Sequence, residues 1–168
     1  MAATYEPIAT TTLGSAASSI TFSSISSAYT DLRLVLTVTA SANNTATCLR
    51  FNGDTATNYS LTYLGGTGAS AASGSGTNST FINPGAGYST TYTGTPTLHT
   101  FDIFSYTGST YKTVLFTDST DNNGSGYVQS GVGLWRSTSA INSITILTNT
   151  ANTYSVGTTA TLYGIKAA

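Results

Sequence analysis

The sequence DLRLVLTVT, at residues 31–39, decides the fold class, because large apolar residues recur in it at every second position. The residues that share this spacing are Leu32, Leu34, Leu36 and Val38. In an extended strand, alternate side chains point to the same face, whereas a helix needs spacings of three and four. The stretch therefore predicts a β-strand with one buried face.

Further segments have the length and composition of strands, and polar turns separate them. In the segment 127–136, Val128, Val132 and Leu134 share a face. The turns are rich in Asn, Asp and Gly, as in NGD at 52–54, because these residues tolerate positive φ angles. The remaining strand segments are residues 48–51, 58–63, 81–82, 98–104, 111–116, 141–147 and 159–166.

About nine or ten short strands with regular turns predict an all-β, antiparallel sandwich or barrel. The number of strands and the chain length favour a double-sheet jelly roll. An immunoglobulin-like sandwich is the alternative, but it has fewer strands and paired cysteines. We expect one β-sandwich domain over residues 1–168, with a long flexible loop at 65–79, GGTGASAASGSGTNS, where apolar periodicity is absent.

The charge content argues against several classes of partner. Charged residues form 7% of the chain, against about 25% in an ordinary domain, and the formal net charge is −1. The basic residues are scattered at Arg33, Arg50, Lys112, Arg136 and Lys166. Nucleic acids and anionic membranes both require clustered basic residues, so we expect neither as a partner.

The compartment follows from the N-terminus and from the cysteine content. Residues 1–7, MAATYEP, lack the basic-then-apolar order of a signal peptide. Cys48 is the sole cysteine, so no disulfide can form within the chain. We therefore expect synthesis in a cytosol.

The low charge also predicts that the protein works inside an assembly. A surface with few charges favours association, and lysines usually guard exposed strand edges. The chain has only two lysines, Lys112 and Lys166. We therefore expect neighbouring subunits to cover its edges and flat faces.

The residues that could carry catalysis are few, and we predict no enzyme activity, catalytic residue, metal or cofactor. His99 would be the base of any catalytic triad, but no G-x-S-x-G nucleophile elbow exists. Cys48 lacks an activating neighbour, and one Cys with one His cannot form a zinc site. A glycosidase needs two facing carboxylates, and Glu6 is the only Glu, which leaves Asp residues such as Asp102 and Asp121.

Two binding sites remain as alternatives. The sequence DSTDNN at 118–123 supplies oxygen ligands of the kind that Ca²⁺ prefers, although an Asp- and Asn-rich turn is the favoured explanation. The chain also has 11 tyrosines, and exposed tyrosines stack on sugars or anchor interfaces. Tyr88, Tyr92 and Tyr106 lie in predicted loops and are the candidates for glycan binding.

Five stretches together resemble virion structural proteins of tailed bacteriophages, particularly those of cyanophages. They are YTDLRL at 29–34, RFNGD at 50–54, NYS at 58–60, AINSITI at 140–146 and LYGI at 162–165. This resemblance covers most of the chain outside residues 65–96.

The resemblance implies a capsid cement or decoration protein with a jelly-roll fold, located on the capsid surface of the virion. Its implied partners are the major capsid protein and further copies of itself in a homotrimer. The same resemblance also includes tail-fibre and head-fibre modules, which would bind host-surface glycans instead.

Overall fold

The computed structural model describes residues 4–86 and 91–166, which form eleven strands and one 3₁₀ turn. The elements are β1 (Tyr5–Thr12), β2 (Ser19–Phe22), β3 (Asp31–Val38), β4 (Thr47–Phe51), β5 (Tyr59–Gly66), β6 (Ala71–Ser79), the 3₁₀ turn Pro84–Ala86, β7 (Thr97–Ile103), β8 (Lys112–Thr120), β9 (Tyr127–Trp135), β10 (Ile144–Thr148) and β11 (Thr159–Ile165). The predicted all-β, antiparallel sandwich is confirmed.

The strands form two sheets of unequal size. The larger sheet has eight strands in the order β1-β11-β3-β7-β8-β9-β5-β6, and the smaller has three in the order β2-β10-β4. β1 pairs with β11, β2 with β10, and β3 with both β11 and β7, all antiparallel. Early strands thus pair with late ones, and the two antiparallel sheets together are consistent with a β-sandwich. The hairpins β5–β6 and β8–β9 both lie in the larger sheet, which makes the two layers unequal.

The core lies between the sheets, on the face that the alternation in β3 predicts. Leu34 is fully buried and lies opposite Leu162 on β11 and Phe101 on β7. Phe101 in turn lies opposite Phe116 on β8, and Phe116 lies opposite Gly131 on β9. A Cβ at Gly131 would lie 2.5 Å from an atom of the Phe116 ring. The glycine therefore leaves the space that this phenylalanine fills.

An aromatic cluster joins the two sheets at one end. Phe51 of β4 packs against Trp135 of β9, with ring centroids 5.6 Å apart, and Tyr59 of β5 stacks on Trp135 at 6.3 Å. Trp135 donates its indole N–H to Asp54 Oδ2 at 2.7 Å. The predicted NGD turn at 52–54 is confirmed, since Asn52 and Gly53 have φ angles of 51° and 65°. This turn therefore places the acceptor that fixes the tryptophan.

The structure differs from the predicted loop at 65–79. These residues complete β5, make a tight turn and form β6, so most of them are in a hairpin. Apolar periodicity is absent because β6 consists of small and polar residues, and pairing with β5 determines its conformation instead. The Tyr63 ring covers Gly74, where a Cβ would lie 2.6 Å from the tyrosine hydroxyl.

Two further differences concern strand assignments. The predicted strand at 81–82 is an isolated bridge between Leu49 and Ile82. Neither β1 nor β2 was predicted. β1 is mostly polar, and a bulge between Pro7 and Ala9 interrupts its alternation. β2 has only four residues, although Ile20 and Phe22 in it share the buried face.

We predict that two neighbouring positions on β3 differ sharply in their contribution to stability. Leu34→Ala should lower the free energy of unfolding by about 2–5 kcal/mol, because it leaves a cavity in the core. Val35→Ala, on the opposite, partly exposed face, should lower it by less than about 1 kcal/mol. Chemical denaturation measures both, and equal losses would contradict the assignment of the buried face.

Candidate functional site

The candidate site is the outer face of the eight-stranded sheet, which we define as the face turned away from the three-stranded sheet. Large apolar side chains there are exposed by 38% to 66% of their surface. These are Leu64 on β5, Leu98 on β7, Leu115 on β8, and Val128 and Val132 on β9. Isolated exposed apolar residues are common, but a contiguous group of them marks an interaction surface.

The register makes part of this group contiguous. Leu115 lies directly opposite Val132, and Val132 lies opposite Thr62 on β5. Leu64, Leu115 and Val132 line a shallow, largely apolar groove of about 390 Å³. A second groove of about 340 Å³ shares Thr62 and Val132 and continues towards β6. The two grooves together span the four adjacent strands β8, β9, β5 and β6, and the large apolar side chains lie on the first three of them.

Charges are sparse on this face. β5, β6 and β9 contain no charged residue, and the two on β8, Lys112 and Asp118, are buried. Arg33 on β3 and Asp102 on β7 are cross-strand partners, and their side chains approach to 3.5 Å. This pair neutralises itself, and Asp31, on the same face at the start of β3, accepts a hydrogen bond from the Ser105 N–H. The centre of the outer face therefore offers apolar and hydroxyl groups without charge.

The predicted common face of Val128, Val132 and Leu134 exists, and it is this outer face. The opposite, inner side of β9 carries Tyr127, Gln129, glycines and Trp135. Sequence reasoning could not distinguish the two sides, because the more hydrophobic side of this strand is the exposed one.

The inner face contains a row of buried polar side chains. His99 on β7 lies opposite Asp118 on β8, which lies opposite Gln129 on β9. All three residues are at most 2% exposed. Tyr127 donates a hydrogen bond of 3.1 Å to Asp118 Oδ2, while the other side-chain polar atoms of the row have no hydrogen-bond partner among the described residues.

Burial keeps this row uncharged around pH 5 to 6. Desolvation lowers the pKa of His99 from 6.5 to about 4. It raises the pKa of Asp118 from 3.8 to about 7, although the hydrogen bond from Tyr127 opposes the increase. Both shifts have the same cause, since an apolar interior disfavours the charged form of either group. His99 contacts no serine through a hydrogen bond in the described chain, so the row does not form a catalytic triad there.

The other candidate residues are placed apart from one another. Cys48 is buried, and desolvation raises the pKa of its thiol to about 12. In the predicted calcium turn, Asp118 points into the core, whereas Asp121 accepts a 2.9 Å hydrogen bond from the Gly124 N–H at the surface. Within residues 4–86 and 91–166, no three His, Cys, Asp or Glu side chains cluster as metal ligands would. The turn explanation therefore fits this segment better.

The tyrosines proposed for glycan binding do not form a common platform. Tyr106 is fully buried and donates its hydroxyl hydrogen to the Ser26 carbonyl, so its predicted exposure was wrong. Tyr92 is partly exposed, and Tyr88 lies outside the described residues. Among the described residues, the exposed tyrosines are instead Tyr5 and Tyr111, which carry no sequence signal that distinguishes them from the others.

Comparisons with protein-family models, with curated proteins and with solved structures find no match to this chain. In the described part of the structure, no helix has the length and apolar character needed to cross a membrane.

We predict that the buried row makes opposing contributions to stability as pH changes. Between about pH 4 and 6.5, His99 is charged only when unfolded, so its contribution to stability increases with pH. Between about pH 4 and 7, Asp118 is ionised only when unfolded, so its contribution decreases with pH. Each slope has a limit of about 1.4 kcal/mol per pH unit, and in the wild type they largely cancel.

Single variants should reveal each slope. Asp118→Asn should make the free energy of unfolding rise from pH 4.5 to 6.5, and His99→Gln should make it fall over the same range. Asp121→Asn is the control, because that carboxylate is exposed to water. Urea denaturation at a series of pH values measures the free energy of unfolding of the wild type and the three variants. Parallel pH profiles for all four proteins would refute the two opposing contributions.

Proposed function

We propose that the chain is a non-enzymatic structural component of a bacteriophage virion, and that it acts as a capsid cement or decoration protein. The observation that carries the proposal is the outer face, which is broad, apolar in its centre and almost free of charge. A cement protein needs such a surface, because it must bury a large area against a shell. The resemblance to phage virion proteins supplies the class of partner, the major capsid protein.

The dimensions of the outer face suit this role. Its eight strands span about 38 Å, since neighbouring strands lie about 4.8 Å apart. Seven residues of each strand span about 24 Å, which gives a face of roughly 900 Å². Stable protein complexes bury about 800 Å² per partner, so the outer face alone is large enough for a standard interface.

The proposed mechanism is mechanical. The protein would stabilise the shell by binding a capsid conformation that is present only after expansion. A ligand that binds only one state stabilises that state by RT ln(1 + [L]/Kd), so a free concentration well above the Kd would resist disassembly. No chemical step is required.

The first prediction concerns abundance. In purified virions that contain the chain, quantitative mass spectrometry should find it in a simple ratio to the major capsid protein, because cement covers the whole shell. A few copies per particle would overturn the cement role. That result would instead favour the alternative, a tail- or head-fibre module that binds host-surface glycans.

The second prediction concerns the outer face. Leu115→Glu should weaken attachment to purified shells at least about tenfold, because it places a charge at the centre of the proposed contact. Val156→Glu is the matched control, since Val156 is also an exposed apolar residue but lies in a turn outside the sheets. Sedimentation of the variants with shells measures attachment. Equal binding of both variants would refute the assignment of this surface.

A further inference from the structure

In the described part of the chain, the eight-stranded sheet has two free edges, β1 and β6, and they differ in how well they are protected. β1 contains Pro7, which has no N–H to donate, and a bulge that interrupts its pairing. It also carries Glu6, whose carboxylate binds Lys166 Nζ at 2.9 Å. All three features are devices by which natural edge strands avoid pairing with other chains.

The other edge, β6, has none of these features over residues 71–77. That stretch, AASGSGT, contains no proline and no charge, and its register with β5 is regular from Ala71 to Gly76. The neighbouring strands β5 and β9 are also uncharged. An exposed, unprotected edge of this kind is a template for an additional strand.

The turn that begins β6 shows which of its backbone groups are available. The Thr67 N–H donates to the Ser70 carbonyl at 2.9 Å, around a two-residue turn in which Gly68 has a φ of 84°. Hydrogen-bonded and non-hydrogen-bonded pairs alternate along an antiparallel ladder. Counting from this pair, Ser73 and Ser75 occupy non-hydrogen-bonded positions. Their N–H and C=O groups therefore point away from β5, towards the free edge.

The far end of the available edge is marked by Asn78. Its φ angle is 53°, which interrupts the extended backbone, and its side chain accepts a hydrogen bond of 2.9 Å from Arg136. The positive charge of Arg136 thus lies beyond the stretch 71–77, and the stretch itself stays uncharged. The usable edge is about seven residues, or roughly 24 Å, long.

We propose that β6 pairs with β6 of a second copy of this chain, antiparallel about a two-fold axis, to join two large sheets into one. A second β6 is the fitting occupant because two uncharged edges meet without repulsion, whereas β1 is protected. The pairing goes beyond the proposed function, since it holds for the isolated chain whether or not a virion is present. It is also distinct from the three-fold contact of a homotrimer.

The strength of the contact follows from its area. An edge about 24 Å long and 10 Å thick covers about 250 Å² per copy, well below the roughly 800 Å² of a stable complex. The pairing is therefore reversible in solution and depends on concentration. In an assembly, copies are already held close together, so the effective concentration of one edge around another is high. Even a weak contact is then formed most of the time.

Proline at Ser75 tests the pairing. Ser75→Pro removes an outward N–H while leaving the ladder with β5 intact, so it should abolish association without unfolding the chain. Ser75→Thr is the control, because it keeps the N–H and favours a strand. Sedimentation equilibrium over a dilution series should show a monomer–dimer equilibrium for the wild type and Ser75→Thr, and a monomer at every concentration for Ser75→Pro.

Two further measurements keep the test independent of folding defects. Ser75→Lys retains the N–H but adds a charge to the edge, and it should also give monomers with an unchanged circular dichroism spectrum. A two-fold axis has one register, which brings only one of these pairings opposite. Oxidation of Ser73→Cys alone, of Ser75→Cys alone or of their mixture should therefore yield disulfide-linked dimers in the one case that matches the register, while Val156→Cys should yield none. Cys48 does not interfere because it is buried.

The proposal is overturned if the wild type stays monomeric, or if the proline and lysine variants associate like the wild type. It is also overturned if the wild type forms trimers that the cysteines at positions 73 and 75 do not cross-link. Attachment to shells is measured separately, so a failure of strand pairing leaves the proposed cement role to be judged on the outer face alone.

Discussion

The three-stranded sheet has to cover one face of the much wider eight-stranded sheet, and the rest of the structure depends on this mismatch in size. The smaller sheet contributes Phe22, Leu49 and Ile146 to the same core cluster as Leu34 and Phe101. Elsewhere on the inner face, Ile82 packs where a Cβ of Gly133 would be, and the Tyr63 ring covers Gly74. Nothing in the described chain covers the other face, where Leu115 and Val132 lie exposed. The wide sheet thus provides both a core and a surface that a partner can bury.

The two faces of β9 show how this mismatch shapes the sequence. Gly131 and Gly133 lie on the inner side, where Phe116 and Ile82 need the space. The valines lie on the outer side, where a soluble monomer would have polar residues. A strand that carries its glycines inward and its valines outward is matched to two different neighbours: a crowded core on one side and an apolar partner on the other.

These observations also explain what could be predicted from the sequence. Strands such as β3 were predictable because large apolar residues alternate with polar ones, and burial enforces that period. β6 was not, because Ala, Ser and Gly carry no hydrophobic period and the strand is held by its pairing with β5. The candidate surface was predictable only as an expectation that flat faces are covered. Its location required the register, since Val128 and Val132 would satisfy a core pattern equally well.

Charge is scarce in three parts of the structure: the core, the outer face and the β6 edge. In the core, burial disfavours the charged forms of His99 and Asp118, and on the surface Arg33 and Asp102 neutralise each other. The edge at β6 has no charge at all. A protein built in this way cannot use electrostatic repulsion to choose its contacts, so geometry must choose them. The bulge in β1 and the left-handed Asn78 at the end of β6 are such geometric limits, and they confine strand pairing to one short stretch of one edge.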